Sequence, residues 1–139
     1  FGSEDGGSTW TATPTQPPGL GGHAGLAVDG DTLYTTTQAG IVASSDRGAT
    51  WEALPAQPAG MAIVLAASAA SQGTLYAGTT MGLARGTDGG AAWDALGPAG
   101  VPLLAVAVAP SDPDRVLAID DGGAVYRSDD GGATWVEPR

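Results

Sequence analysis

The side chains of this sequence that could carry out chemistry are mostly carboxylates. Its 139 residues include 15 Asp and Glu side chains, five Lys and Arg side chains and a single His. Two carboxylates at a suitable separation can hydrolyse a glycosidic bond, one as the acid and the other as base or nucleophile. No spacing selects such a pair among the aspartates that we expect in loops, so the possibility of a catalytic carboxylate pair remains open. These aspartates are Asp29, Asp31, Asp94, Asp112 and Asp114.

Two adjacent pairs of aspartates, 120–121 and 129–130, resemble the acidic clusters that bind calcium. A calcium loop alternates its acidic ligands with other residues, whereas the members of these pairs are direct neighbours. We therefore predict solvated turns, with no metal and no cofactor. The chain contains no Cys, which removes disulfides and thiolate metal ligands.

The charge of the chain restricts its partners. A formal charge of −10 with only five basic residues is unfavourable for binding the phosphates of a nucleic acid or an anionic membrane surface. The longest apolar segments, 61–67 and 101–109, are too short to span a bilayer. We therefore expect neither nucleic-acid binding nor membrane insertion.

The elements that must position these side chains are organised by a repeat. An eight-residue segment ending in Trp, called the box below, occurs four times, and its tryptophans recur every 41 or 42 residues. A period of this length is typical of a repeat architecture. The boxes are Ser-Glu-Asp-Gly-Gly-Ser-Thr-Trp at 3–10, Ser-Ser-Asp-Arg-Gly-Ala-Thr-Trp at 44–51, Gly-Thr-Asp-Gly-Gly-Ala-Ala-Trp at 86–93 and Ser-Asp-Asp-Gly-Gly-Ala-Thr-Trp at 128–135.

Each unit between boxes contains four strand-sized segments separated by turn residues. Apolar runs at 24–28, 62–67 and 103–109 do not alternate, as expected of strands buried on both faces. They are followed by β-rich runs at 32–36, 74–79 and 115–119, by short strands at 40–44, 82–86 and 124–128, and by a last strand that begins at the box Trp, as at 51–54. Four antiparallel strands per unit predict an all-β fold made of β-propeller blades.

The repeat also predicts the boundaries of the blades. Residues 1–22 form the end of a preceding blade and a linker, and the blades span 23–60, 61–100 and 101–139. Because a propeller ring needs about four to eight blades, three blades and one extra box hairpin predict part of a larger ring. The remaining blades could come from a longer chain, from a second copy or from another chain. Closure by a homodimer is the less favoured of these, since it would displace the hairpin at 1–11.

Counting back from each Trp gives a packing register. Leu33, Leu75 and Leu117 stand 18 residues before a box Trp, and Tyr34, Tyr76 and Ala118 stand 17 before it. Residues at the same distance should pack alike in each blade. By the same reasoning, the four box tryptophans should occupy equivalent and largely buried sites.

The box pattern resembles the Asp-box (BNR) repeat of sialidase-like, sortilin-like and photosystem II assembly factor-like propellers. Its Asp should accept backbone N–H groups, its Gly should allow a positive φ and its Trp should anchor the hairpin. In that family the boxes lie away from the active site, and a role repeated in every blade suits a structural turn. The structural box residues are Asp5, Gly7, Trp10, Asp46, Gly48, Trp51, Asp88, Gly90, Trp93, Asp130, Gly132 and Trp135.

The same resemblance implies what an enzyme of this type would need. Sialidase-like propellers use three convergent arginines, a Tyr nucleophile and an acidic partner, but only Arg115 lies near an inner strand and away from a box or terminus. The lone His23 has no acidic neighbour in sequence. We therefore expect a non-catalytic scaffold that binds a protein partner, or further blades, in the cell envelope or outside the cell. The alternative is a carbohydrate-active propeller, a glycoside hydrolase or lectin whose sugar site lies in blades not present in this chain.

Overall fold

A computed structural model of the chain describes residues 1–19 and 25–137, and these form β-structure joined by turns. The described residues contain no helix that is long and apolar enough to cross a membrane. Within residues 1–19 and 25–137, eleven strands form three antiparallel sheets in chain order. They are β1 Leu26–Asp29, β2 Thr32–Thr37, β3 Gly40–Ser44 and β4 Glu52–Ala53; β5 Ala62–Ala67, β6 Leu75–Thr79, β7 Gly82–Thr87 and β8 Ala92–Leu96; and β9 Leu103–Ala109, β10 Asp112–Asp120 and β11 Val125–Ser128.

The all-β prediction is confirmed, with strands close to the predicted segments. The first two sheets have four strands and the third has three. In the third sheet, a single bridge between Arg127 and Val136 occupies the place of the fourth strand. A similar bridge between Gly2 and Thr11 closes the hairpin of the first box.

The sheets pack face to face, and the core lies in the two junctions between them. The first junction joins Tyr34 and Ile41 of the first sheet to Leu75 of the second. The second junction joins Tyr76 of the second sheet to Val116 of the third. Strand β6 is therefore buried on both faces, which explains why its sequence does not alternate between apolar and polar residues.

The third sheet departs from the register that the sequence predicts. Leu75 pairs with Gly86 of the box in the second sheet, whereas Val116, and not Leu117, pairs with the equivalent Ser128 in the third. The turn after β10 is one residue longer than the turn after β6. The residue 18 positions before the box Trp is therefore not the one that pairs with the first residue of the box. Since a shift of one residue exchanges the two faces of a strand, Leu117 takes the place of Tyr76, and its predicted equivalence to Leu75 is wrong.

This shift predicts opposite effects at neighbouring positions. Val116 is fully buried in the second junction, whereas Leu117 is 45% exposed on the outer face. Val116→Ala should lower the free energy of unfolding by about 2 kcal/mol, because two buried methyl groups are removed. Leu117→Ala should cost less than about 1 kcal/mol. Urea denaturation of both variants measures the difference, and a larger loss for Leu117→Ala would contradict the observed register.

Candidate functional site: the boxes and the junctions between sheets

The second box is closed by side chains that bond to its own backbone. The Ser44 hydroxyl donates to the Asp46 carboxylate over 2.7 Å and accepts the N–H of Gly48 over 2.8 Å. The same carboxylate accepts the backbone N–H of Thr50 over 2.8 Å and also its hydroxyl. Hydrogen bonds of the Ser, Asp and Thr side chains thus replace the backbone hydrogen bonds of the β-ladder in the turn between β3 and β4.

The first and fourth boxes repeat this arrangement. Asp5 and Asp130 each accept the backbone N–H and the hydroxyl of the Thr four residues later, at 2.6–2.9 Å. In both boxes the Ser hydroxyl accepts the glycine N–H over 2.8 Å. These carboxylates are exposed, so they act as turn ligands at the surface.

The third box is built differently. Gly86 and Ala92 replace the Ser and Thr of the other boxes, so the partners of the carboxylate are missing. Strands β7 and β8 continue to a Thr87–Ala92 pair, and the Thr87 carbonyl accepts the N–H groups of Gly90 and Ala91. Within the described chain no hydrogen bond reaches the Asp88 carboxylate, so this turn is held by its backbone.

The hydrogen bonds fix the charge of the three regular box carboxylates. The hydroxyl of the following Thr, and then its backbone N–H, lower the pKa of each to about 2; the three are Asp5, Asp46 and Asp130. A carboxylate that accepts several hydrogen bonds is stabilised in its charged form. These groups are therefore ionised at neutral pH, and their oxygens are already engaged.

The box glycines allow the backbone to turn, and they also make contacts at the junctions between sheets. Gly48, Gly90 and Gly132 have φ values of 84°, 87° and 93°, which favour glycine. Each also faces the preceding segment. A Cβ on Gly90 would lie 2.5 Å from Leu54 Cδ1, and one on Gly132 would lie 2.8 Å from Leu96 Cδ1.

The contacting residues share one position in the repeat. Leu54 and Leu96 each stand three residues after a box Trp, and so does Thr13, whose Cγ2 would lie 3.3 Å from a Cβ on Gly48. The repeat therefore places one side chain per unit against the glycine of the next box. Sequence analysis missed these residues, although their constant distance from Trp was a usable signal.

Tyrosines complete the two junctions. The Tyr34 hydroxyl lies close to Gly89 of the next sheet, where an added Cβ would be 3.1 Å from it. The Tyr76 hydroxyl donates a hydrogen bond to the Pro113 carbonyl over 2.8 Å. Burial raises the pKa of both phenols. Each Tyr thus reaches from one sheet to the turns of the next.

The prediction that all four box tryptophans are largely buried is wrong for Trp10, which is 63% exposed. Trp51, Trp93 and Trp135 are half-buried. The indole N–H of Trp93 donates to the carbonyls of Ala56 and Gly90, both over 3.1 Å, and so links the second sheet to the first. Among the described residues no earlier sheet packs against Trp10, because the burial of a box Trp is supplied by the preceding unit.

The aspartates expected in loops lie mainly in strands instead. Strands β1, β8 and β10 contain Asp29, Asp94, Asp112 and Asp114, and Asp31 is in the turn between β1 and β2. The buried Asp29 carboxylate accepts the N–H of Gly73 over 2.6 Å and so ties the first sheet to the second. Strands extend through these positions because pairing continues to the turn itself.

The adjacent aspartate pairs also have structural partners. Asp120 accepts N–H groups of the longer turn after β10 and the Tyr126 hydroxyl, which lower its pKa. Asp129 binds Arg127 and Arg115, and these contacts lower its pKa too. In the described ranges no three His, Asp or Glu side chains are grouped to hold a metal ion. His23 and Arg139 lie outside the described residues.

No protein-family model and no curated protein sequence matches this chain. Solved structures do match. YCF48 from Cyanidioschyzon merolae is similar with a TM-score of 0.65 and 20% identity, over 82% of this chain and 39% of that one. An ancestral GH74 enzyme gives a TM-score of 0.69 and 19% identity over 87% and 18% of the two chains. The GH74 xyloglucanase from Xanthomonas campestris gives 0.58 and 24% identity over 78% and 19%.

These similarities establish the β-propeller fold, so the three sheets are blades. The chain spans 39% of the YCF48 structure and less than a fifth of the ancestral GH74 enzyme. At these identities the likeness is one of fold.

The carboxylates of the boxes predict a response to acid. Because the folded pKa of Asp46 is about 2 and its ordinary value is 3.8, its contribution to stability is complete above about pH 5 and is lost progressively as the pH falls toward 2. Thr50→Val removes the largest cause of the shift and should raise the pKa of Asp46, while Ser45→Ala should leave it unchanged. Carboxyl titration by ¹³C NMR measures this; an equal pKa in the Thr50→Val variant and the wild type would refute the assignment.

The contact between Leu54 and Gly90 predicts energetic coupling across the first junction. Gly90→Ala should lower the free energy of unfolding by about 2 kcal/mol, from strain at positive φ and from displacement of Leu54. In a Leu54→Ala background its cost should fall, leaving a coupling of about 1 kcal/mol.

Gly7→Ala is the matched control, because Gly7 has a φ of 93° but faces only its own Trp10 at 3.7 Å. Its cost should be limited to backbone strain. Urea denaturation of the four-member cycle provides the values, and strict additivity of Gly90→Ala and Leu54→Ala would show that the junction contact has no energetic role.

Proposed function

We propose that this chain is a non-catalytic β-propeller scaffold that binds a protein partner, or further blades of the same propeller, in the cell envelope or outside the cell. The same proposal assigns the four boxes to the Asp-box (BNR) type, with structural roles for their Asp, Gly and Trp. The observation that carries it is the use of several carboxylates: Asp46 closes a turn, Asp29 bridges two blades and Asp129 pairs with arginines.

The direction of the pKa shifts supports a structural use. A glycosidase needs a carboxylic acid that is still protonated near its working pH, which requires a raised pKa. The described carboxyl groups with a displaced pKa all lie below the ordinary value; they are Asp5, Asp46, Asp120, Asp129 and Asp130. Such groups hold negative charge and accept hydrogen bonds, and they are poor proton donors.

The arginines are also engaged in pairs. Arg47 contacts Glu4 over 3.3 Å at the edge of the first blade, and Arg85 faces Asp114 over 3.8 Å in the second junction. These two positions lie in different blades. In the third blade Arg115 and Arg127 both pair with Asp129, over 3.2 and 2.9 Å. The pairing of these four arginines with carboxylates of the chain supports a role in joining its segments.

The outer face of the third blade, called the tail face, is the surface that we assign to a partner. Leu117, Ile119 and Val125 are 45%, 39% and 38% exposed there. Leu117 and Val125 occupy the positions of Tyr76 and Leu83, which are fully buried against the next blade. An apolar face of this kind is typical of a protein interface.

A carbohydrate-active propeller is the second candidate function. It is favoured by the fold similarity to GH74 enzymes, one of which is a xyloglucanase. In that case the sugar site would be formed by blades beyond these three, since the present chain spans less than a fifth of those structures.

Two measurements separate the candidates. A photo-cross-linking residue at position 119 should give discrete protein adducts in the source cells, and these should disappear in a Leu117→Arg variant. The same cross-linker at the exposed Glu52 position is the control and should give none of these adducts.

In parallel, calorimetry of the protein as its source cells produce it, with any further blades included, should show no binding of xyloglucan oligosaccharides, and that protein should release no reducing ends from xyloglucan. Saturable sugar binding without position-specific adducts would overturn the scaffold proposal in favour of the second candidate.

A further inference from the structure

Asp-Gly dipeptides occur at several turns of the chain, and they differ in how the aspartate is held. In this dipeptide the amide nitrogen of the glycine can attack the carboxyl carbon of the aspartate, because glycine has no side chain to obstruct the approach. The structure of each turn therefore determines whether its dipeptide is reactive. The dipeptides are 5–6, 29–30, 88–89, 121–122 and 130–131.

Three of these aspartates have carboxylates that are engaged by hydrogen bonds. Asp5 and Asp130 each accept the backbone N–H and the hydroxyl of a Thr, which hold the pKa of both at about 2. The buried Asp29 accepts the N–H of Gly73 over 2.6 Å. A charged carboxylate resists attack, because its oxygen can leave as water only after protonation.

Asp88 of the third box differs from the other box aspartates in two ways. Because Gly86 and Ala92 replace the Ser and Thr, no hydrogen bond reaches its carboxylate from any residue in the described ranges. Its backbone has a φ of 51°, whereas in the other boxes the positive φ values begin at the residue after Asp. Asp88 is also exposed. Its side chain can therefore rotate toward the nitrogen of Gly89.

The glycine nitrogens of the third and fourth boxes are held in similar ways. The Gly89 N–H donates to the Gly73 carbonyl over 3.0 Å, and the Gly131 N–H donates to the Asp114 carbonyl over 2.8 Å. Both acceptors are neutral carbonyls of a neighbouring turn. The difference in reactivity between these two boxes should therefore come from the carboxyl group.

The dipeptide at 121–122 is exposed, but its nitrogen is held more firmly. The Gly122 N–H donates to the Asp120 carboxylate over 2.9 Å. A hydrogen bond to a charged acceptor is about twice as strong as one between neutral groups. Among the five dipeptides, 88–89 thus combines a carboxyl group without partners in the described ranges with a nitrogen that is bound only by a neutral group.

We propose that Asp88 is a site of spontaneous modification, at which the peptide bond to Gly89 moves from the α-carboxyl to the side-chain carboxyl group and gives isoaspartate. First, the Gly89 nitrogen bonds to Cγ of the protonated carboxyl group and loses its proton, and one water leaves, which closes a five-membered succinimide ring. Water then opens the ring at the bond between the nitrogen and the α-carbonyl carbon. One water leaves and one enters, so the mass is unchanged and no oxidant or other reagent is needed.

The modification should loosen the first junction. Isoaspartate places Cβ of residue 88 in the main chain and so lengthens the turn by one bond. This turn presents Gly90 to Leu54, and the carbonyls of Gly90 and Ala56 both accept the Trp93 indole N–H. Displacement of Gly90 therefore disturbs contacts between the first and second blades. This inference concerns the ageing of the fold and does not depend on the scaffold proposal.

Tryptic digestion of the aged protein tests the assignment, because it separates three of the dipeptides. Cleavage after arginine places 88–89 in the peptide 86–115, 121–122 in 116–127 and 130–131 in 128–139. The folded protein is incubated for several weeks at mildly acidic pH. The peptide 86–115 should then give a second chromatographic peak of equal mass, in which a protease specific for aspartate no longer cleaves before residue 88. The other two peptides should change several-fold more slowly.

Incubation of the unfolded chain in urea is the control for the role of the turn. Unfolding removes the hydrogen bonds that protect the other aspartates, so the three peptides should form isoaspartate at similar rates. A preference for residue 88 that persists in urea would show that local sequence, and not the geometry of the third box, is the cause.

A double variant restores the regular pattern in the third box. Gly86→Ser with Ala92→Thr should lower the rate of isoaspartate formation at Asp88 by about tenfold or more, because the new side chains hold the carboxylate in its charged form. An unchanged rate in the folded variant would contradict the proposal.

The reverse pair of substitutions keeps the test decisive if the restored third box does not fold. Ser3→Gly with Thr9→Ala removes the side-chain partners of Asp5 in the exposed first box. The rate of isoaspartate formation at Asp5 should then rise several-fold, while the rate at Asp130 stays low.

Two results would overturn the proposal: no isoaspartate at residue 88 after ageing, or equal rates at residues 88 and 130 in the folded protein. The melting temperature tests the consequence for the junction. Protein with a high isoaspartate content at residue 88 should melt several degrees below fresh protein. An unchanged melting temperature would contradict the loosening of the first junction.

Discussion

The contact between a box glycine and the side chain three residues after the preceding Trp is the constraint on which the rest of the structure depends. It requires glycine for two reasons: the backbone has a φ near 90°, and a Cβ would collide with Leu54 or Leu96. The hydrogen bonds of Ser, Asp and Thr hold the turn that presents this glycine. Each blade is thus positioned by the box of the next, and stability accumulates from one neighbour to another.

In this arrangement many carboxylates of an acidic chain are hydrogen-bonded within the fold. In the regular boxes the Asp carboxylate accepts hydrogen bonds from a Thr and a Ser, and Asp29 and Asp120 close a junction and a turn. Groups in such environments remain charged and fixed. The fold also leaves apolar side chains exposed, among them Leu117 on the tail face.

The sequence predicts the blades well because the box period, the turn residues and the apolar runs all act locally. It does not predict the face of β10, since one added residue in the turn at 120–124 exchanges Val116 and Leu117 between core and surface. Nor does it predict the exposure of Trp10, which depends on a neighbouring unit and not on the box. The third box shows the opposite case: Asp88 keeps the pattern, but without its Ser and Thr the turn relies on backbone bonds.

The most direct measurement of the central claim is the nuclear Overhauser spectrum of a sample labelled at its leucine methyl groups. The account predicts cross-peaks from the Leu54 methyls to the Gly90 α-protons and from the Leu96 methyls to the Gly132 α-protons. These would place each box against the preceding blade, as the geometry requires. Absence of both cross-peaks in the folded protein, with the blades otherwise intact, would contradict the claim that the boxes position the blades.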